Sequence, residues 1–357
     1  MEKNSKIYIA GHTGLVGSSF LRSLHSRGYS SIVTKEISQL DLRRQVEAES
    51  FFKNERPEYV FLAAAKVGGI LANSTYKGEF IYDNIMIAAN VINASYKYGV
   101  KKLLNLGSSC IYPREAPQPI KEEHLLTGSL EPTNEPYAVA KISAIKLCRY
   151  YNEQYGTNFI SVMPTNLFGI NDNFNLETAH VLPSLIRKFY LAKLLSDKRE
   201  DLIREDLHKR PLGFGLEKKL DIEDEQEIRH ALKNIGITGE SVELWGTGEP
   251  YREFLYSDDL ADACFFLMGK YNYSDTGELV NIGQGIDTKI KDIAVIVKDI
   301  IGFKGSIVFD KSKPDGTPRK LLDVSKIQSL GWHHKTDLKD GLIRVIEAYC
   351  KSISNEQ

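Results

Sequence analysis

Short apolar runs recur through the first half of the chain, at Ile7-Tyr8-Ile9-Ala10, Ile32-Val33, Tyr59-Val60-Phe61-Leu62, Lys102-Leu103-Leu104-Asn105-Leu106 and Phe159-Ile160-Ser161-Val162-Met163. Segments of helical periodicity lie between them. This alternation predicts an α/β fold, a doubly wound parallel sheet of Rossmann type with helices on both faces, whose ligand sits outside the carboxyl ends of the strands. The rhythm breaks after Asn173, and a charged, low-aromatic stretch follows from about 193 to 237, including Ser196-Asp197-Lys198-Arg199-Glu200-Asp201 and Asp221-Ile222-Glu223-Asp224-Glu225-Gln226-Glu227. A run of this kind reads as a solvated helical insertion in a smaller α/β lobe. The expected division is a first domain over 1–172, with 251–282 returning to it, and a smaller lobe over 173–250 and 283–357.

Composition narrows the partners. At 357 residues, 42% hydrophobic and 26% charged, the chain can bury a core of ordinary proportions and divide it in two. Its 46 basic and 47 acidic residues leave a formal charge of -1, so it lacks the single-signed field that attracts nucleic acid or anionic lipid. Any anionic partner must be held by a few placed cations. The first residues run straight into a strand with no apolar stretch long enough for a signal peptide or membrane span, which predicts a cytoplasmic protein away from membranes. Cys110, Cys148, Cys264 and Cys350 are too scattered for a disulfide scaffold or a zinc site, so no metal is expected.

Directly after the first strand stands Gly11-His12-Thr13-Gly14-Leu15-Val16-Gly17, followed by a helical pattern. Glycines there permit a sharp turn, close approach of amides to a pyrophosphate and packing of helix on strand. The second strand ends at Lys35-Glu36, a cation suited to the extra phosphate of NADP beside an acid suited to the ribose of NAD. Asp41-Leu42 are placed to meet the adenine edge, and Ala63-Ala64-Ala65 are small enough to let a cofactor approach, although packing alanines would look the same. Leu106-Gly107-Ser108-Ser109-Cys110 ends the fourth strand, and a later helix carries Tyr137-Ala138-Val139-Ala140-Lys141. Tyrosine and lysine four apart share a helix face, so the ammonium should lower the phenol's pKa while Ser108 orients the same substrate oxygen.

Together with Gly107-Ser108-Ser109-Cys110-Ile111-Tyr112-Pro113, Leu130-Glu131-Pro132-Thr133-Asn134-Glu135-Pro136-Tyr137-Ala138, Met163-Pro164-Thr165-Asn166-Leu167, Ala63-Ala64-Ala65-Lys66-Val67-Gly68-Gly69-Ile70 and Lys313-Pro314-Asp315-Gly316-Thr317-Pro318-Arg319-Lys320, these features resemble the GDP-L-fucose synthase branch of the extended short-chain dehydrogenase/reductase family. The resemblance implies a 3,5-epimerase and 4-reductase of a GDP-4-keto-deoxy-sugar. On it, Ser108, Tyr137 and Lys141 serve reduction, and Lys141 also binds the nicotinamide ribose. Cys110 and His180 exchange protons in the epimerase step, and Pro164, Thr165, Asn166, Leu167 and His180 border the cofactor. Lys188, Trp245, Arg252 and Asp315 hold the GDP part, though Trp245 reads equally as a core anchor. The helical segments around 84–98 and 138–155 resemble those that pair in the family's homodimers.

The chain also departs from that branch. The segment between Phe189 and Glu243 looks about forty residues longer than the family pattern, beyond an ordinary connection, and raises a GDP-4-keto-heptose as the substrate of a dedicated C4-reductase. Thr13 and Ile37 stand where arginines would grip the NADP phosphate, leaving Lys35 for that role; NADP(H) is expected from the family, with NAD(H) open. A cofactor-recycling epimerase or dehydratase and a non-catalytic dinucleotide sensor are the remaining alternatives.

Overall fold

The protein is described by a computed structural model covering residues 1–216, 220–313 and 315–354, with the backbone alone for 70–72. Residues 217–219 of the charged segment, Pro314 of the Lys313 motif and the side chain of Ile70 lie outside the described residues. Through the first half the elements are β1 (Ile7–Ala10), α1 (Leu15–Ser26), β2 (Ile32–Thr34), α2 (Gln45–Glu55), β3 (Tyr59–Leu62), α3 (Ile70–Thr75), α4 (Lys77–Lys97), β4 (Lys102–Leu106), α5 (Glu135–Tyr155), β5 (Phe159–Pro164) and β6 (Asn166–Phe168). There follow α6 (Val181–Ser196), α7 (Glu200–Lys209), α8 (Glu225–Asn234), β7 (Ser241–Trp245), β8 (Tyr251–Tyr256), α9 (Ser257–Lys270) and α10 (Tyr273–Thr276). The chain ends with β9 (Val280–Ile282), β10 (Asp287–Lys289), α11 (Ile290–Ile301), β11 (Ser306–Asp310), β12 (Arg319–Lys320), α12 (Ser325–Ser329) and α13 (Leu338–Ser354).

Two compact units emerge, one of residues 1–167, 253–286 and 321–336, the other of 168–252, 287–320 and 337–357. In the first, six parallel strands lie in the order β2-β1-β3-β4-β5-β9. Strands β1, β4, β5 and β9 are buried along their whole length. Such strands are apolar at nearly every position rather than at alternate ones. One core layer gathers Ile7, Ile9, Phe20, Phe61, Leu104 and Val162, and the other Tyr8, Phe52, Val60, Leu103 and Phe159. The strand order reverses between β1 and β3, and at such a switch point the loops diverge and leave a crevice for a ligand.

Residues 321–336, assigned from the sequence to the second lobe, pack with the first unit. Glu253, fully buried, accepts from the Leu322 amide at 3.0 Å and the Gly285 amide at 2.7 Å, while Asp259 accepts from the Lys335 and Thr336 amides at 2.7 and 2.8 Å. These buried carboxylates draw the strand of chain back by its amides, a pull that no apolar pattern announces.

In the second unit β7 pairs with β11 in parallel from Ser306↔Ser241 to Asp310↔Trp245. The charged segment is packed rather than merely solvated. Helix α7 buries Ile203, Asp206 and Leu207, and α8 buries Ile228, Ala231 and Leu232. Their remaining positions carry the charge that made the segment read as exposed. Among the described residues no helix is long and apolar enough to cross a membrane.

Candidate active site

The first unit assembles most of the candidate residues at the carboxyl ends of its strands. Gly11, with φ +83°, follows β1; a Cβ there would stand 2.8 Å from the Ala64 backbone, which follows β3. A Cβ on Gly17 would lie 2.0 Å from the Gly11 carbonyl oxygen, so α1 can seat against the turn only with glycine at that position. Gly14 caps α1 in extended conformation without a side-chain hydrogen bond to the first turn. The amides of that turn therefore face outward with the helix's partial positive charge, the arrangement a pyrophosphate requires. Nδ1 of His12 is buried with no partner among the described residues. Cradle, uncapped helix and orphaned nitrogen fit a dinucleotide.

After β2, Lys35 is half-buried and Ile37 is exposed. Asp41 is tied by Arg43, which the sequence analysis passed over, with Oδ1 accepting from Nε and Oδ2 from Nη2, both at 2.8 Å. Its carboxyl is held below the ordinary aspartate range chiefly by those bonds. The Leu42 carbonyl accepts from Asn90 Nδ2 at 2.9 Å, which fixes this loop to α4.

Around the reacting end, the Lys141 ammonium is buried and donates to the Leu106 carbonyl at 2.7 Å, locking α5 to the end of β4. It stands 5.7 Å from the centroid of the Tyr137 ring. Burial brings the Lys141 pKa down to about 8. The expected lowering of the Tyr137 pKa is corrected here. Burial raises it instead by desolvating the phenolate, nearby Cys110 adds to the rise, and the Lys141 ammonium is engaged with the Leu106 carbonyl. Ser108 Oγ accepts from the Cys110 amide at 3.4 Å, which leaves its own proton to donate. Cys110 is buried. A Cβ on Gly107 would meet Met163 Sδ at 2.2 Å, so a side chain there would have to displace the Met163 thioether. Beyond β5, Thr165 Oγ1 and Asn166 Nδ2 donate to the Glu253 carbonyl at 3.3 and 2.9 Å, holding the Pro164–Leu167 turn.

The second unit carries His180, Lys188, Trp245, Arg252 and Asp315. His180 is exposed at the N-cap of α6. Two turns on, Lys188 Nζ donates to the Glu243 and Ile235 carbonyls at 2.9 and 3.2 Å, and burial brings its pKa down to about 8. Trp245 is no core anchor: it is 62% exposed at the end of β7, with Lys313 Nζ 5.5 Å from its ring centroid. Asp315 accepts from the Thr247 amide and hydroxyl at 2.8 and 2.6 Å. Arg252 packs against Gly316, and burial lowers its pKa against the opposing pull of Asp315. An aromatic face, a braced carboxylate and two cations thus gather around β7 and the loop after β11. That set suits a purine base on a diphosphate.

Comparison with known proteins agrees with this chemistry. The model of the NAD dependent epimerase/dehydratase family matches residues 7–215 and 214–283. GDP-L-fucose synthase 1 of Arabidopsis thaliana is 49% identical over 99% of this chain and 96% of its own. A solved GDP-6-OMe-4-keto-L-xylo-heptose reductase from C. jejuni is 45% identical, covering 98% of each chain with a TM-score of 0.91. The NADP-bound GDP-mannoheptose C4 reductase of Campylobacter jejuni is 42% identical over 98% of this chain and 99% of its own, with a TM-score of 0.83. The chain therefore belongs to the NAD dependent epimerase/dehydratase family, in the branch of the GDP-L-fucose synthases.

Proposed function

We propose that this chain is an NADPH-dependent 4-reductase of a GDP-4-keto-deoxy-sugar, of the GDP-L-fucose synthase type, which also exchanges the protons at C3 and C5. The observation that carries the reading is the buried Lys141 ammonium fixed on the Leu106 carbonyl beside Tyr137, in a chain 49% identical to the Arabidopsis thaliana enzyme of that name. Gly11–Gly17, Lys35, Asp41, Leu42, Ala63–Ala65 and Pro164–Leu167 hold the cofactor. NADPH supplies the hydride. Trp245 stacks on the guanine, Asp315 accepts from its edge, and Arg252 and Lys188 meet the diphosphate. Cys110 takes a proton beside the carbonyl while His180 returns one on the opposite face; Tyr137 then gives its proton to O4, with Ser108 donating a hydrogen bond to the same oxygen, as C4 takes the hydride. The protein acts in the cytoplasm as a homodimer, the pairing being supported by Tyr82, Tyr96, Tyr150 and Tyr155, exposed on α4 and α5.

A dedicated C4-reductase of a GDP-4-keto-heptose is the second reading, favoured by the 42–45% identity to the two heptose enzymes. NADPH oxidation, product mass and NMR decide between them, with GDP-4-keto-6-deoxy-mannose and its heptose counterpart supplied with and without a separate 3,5-epimerase. Unaided conversion of the hexose to the L-fuco product is expected. Turnover of only a pre-epimerised heptose would establish the second reading, and no NADPH oxidation with any of them would end both.

The Lys141 pKa sets an alkaline limit on this activity. Below about 8 its ammonium is present; above that it is lost. The kcat/KM for NADPH, which reports the free enzyme, should fall about tenfold per pH unit above this point. A profile flat to pH 10 would show that Lys141 does not act as a cation.

A further inference from the structure

The loop from Asp172 to His180 is folded tightly on itself. Asn173 Nδ2 donates to Thr178 Oγ1 at 2.9 Å, and Asn175 Oδ1 accepts from the Glu177 and Thr178 amides at 3.0 and 3.3 Å. The Asn175 carbonyl accepts from Thr178 and Ala179 at 3.1 and 2.7 Å, so little slack separates Glu177 from the backbone of His180. Arg187 Nη1 ties the base of the loop to the charged segment, donating to the Phe174 and Pro211 carbonyls at 2.9 and 2.8 Å.

Just past Pro211 the chain makes a turn of three consecutive left-handed residues, Gly213, Phe214 and Gly215, with φ of +89°, +59° and +67°. Glycine adopts this conformation freely; a bulky residue does so only where its surroundings over-determine it. Core packing is not the cause, because Phe214 is 41% exposed. What fixes the turn is Glu177. Its Oε2 accepts from the Phe214 amide at 2.7 Å, and a Cβ on Gly213 would stand 2.5 Å from Glu177 Cβ and 2.7 Å from Asn175 Oδ1. A short charge-assisted bond and close backbone packing thus join the charged segment to the loop three residues before His180.

We propose that Glu177 is a positioning residue: by clamping the Gly213–Phe214–Gly215 turn it holds the loop that carries His180 in the orientation proton exchange requires. The functional half of this inference rests on the reading of His180 as an epimerising group. The clamp itself rests only on the geometry. The charged segment is then a brace for that step, which explains why a conformation so disfavoured for phenylalanine is kept at its tip.

The test uses the full chain with Glu177→Ala, Glu177→Gln and Gly213→Ala. The His180 imidazole signals, assigned by their loss in His180→Asn, should shift or broaden in Glu177→Ala and Gly213→Ala and stay in place in Glu177→Gln, whose amide oxygen still accepts from Phe214. Unchanged signals in folded Glu177→Ala and Gly213→Ala would overturn the clamp. Deuterium incorporation at C3 and C5 of GDP-4-keto-6-deoxy-mannose should fall at least about tenfold in Glu177→Ala and return in Glu177→Gln, while NADPH oxidation with pre-epimerised substrate changes less than twofold. Equal loss of exchange and reduction would make Glu177 a general structural residue and overturn the positioning role. Absence of exchange in the unmodified protein would instead end the epimerase reading, with the imidazole signals still deciding the clamp.

Discussion

Replacing Tyr137 with Phe is expected to lower kcat for NADPH oxidation by about 10²–10⁴-fold, the range a positioned general acid supplies, while changing the Kd for NADPH by less than about tenfold, the worth of one hydrogen bond. The change removes one oxygen. The ring's edge-on contact with Phe80, at 6.4 Å between centroids, survives in phenylalanine. Because burial raises the Tyr137 pKa, its phenol is protonated at neutral pH, the form needed to donate to O4 when the carbonyl is reduced. The opposite direction needs the phenolate, so oxidation of the alcohol should speed up with rising pH until Lys141 loses its charge at about 8. Single-turnover kinetics in both directions with the Tyr137→Phe protein check this. An unchanged reduction rate would mean that the proton comes from another group, with Cys110, close enough to bear on the ionisation of both Tyr137 and Lys141, as the first alternative.

How far the sequence reaches can be seen at this same site. The five strand runs match the first five strands observed, and four of them announce themselves because strands buried on both faces are apolar at nearly every position, whereas β9, equally buried but three residues long with Asn281 at its centre, does not. The glycine turn is equally plain, because its positions are dictated by contacts with Ala64 and Gly11 that exclude a side chain. Sequence spacing placed Lys141 beside Tyr137, yet it gave the wrong direction for the phenol: four residues along a helix define proximity, not depth, and depth decides how much water the phenolate loses. Arg43 was missed because a cation next to an aspartate in a loop looks like ordinary surface charge. Trp245 was open between core and surface, and only its exposure at the end of β7 decides. The charged segment was misread for a related reason. Its polar majority hides Asp206, whose burial depends on Arg187 about twenty residues earlier, on α6, and on Tyr349 near the end of the chain, on α13.

That buried triad gives the largest expected effect on stability. Arg187 and Asp206 are both fully buried; Nε and Nη2 donate to Asp206 Oδ2 at 2.9 and 2.7 Å, and the Tyr349 hydroxyl donates to Oδ1. The guanidinium's other bonds go to the carbonyls of Phe174, Pro211 and Arg210, at 2.9, 2.8 and 2.6 Å. Asp206→Ala would strand the Arg187 charge among groups that satisfy its hydrogens but not its field, at a cost of about 3–5 kcal/mol. Melting should fall on the order of 10 °C. Removing both charges is a different matter, because an ion pair withdrawn from water recovers little more than its desolvation. The Arg187→Met, Asp206→Leu double variant should therefore lose clearly less than the sum of its single changes. Thermal unfolding of the four proteins of the cycle checks this. Additive losses would show that the pair is held by packing alone. A double variant that is stable but impaired in proton exchange would show that Arg187 is kept for the carbonyls it gathers, that of Phe174 in the His180 loop and those of Arg210 and Pro211, just before the turn that Glu177 clamps.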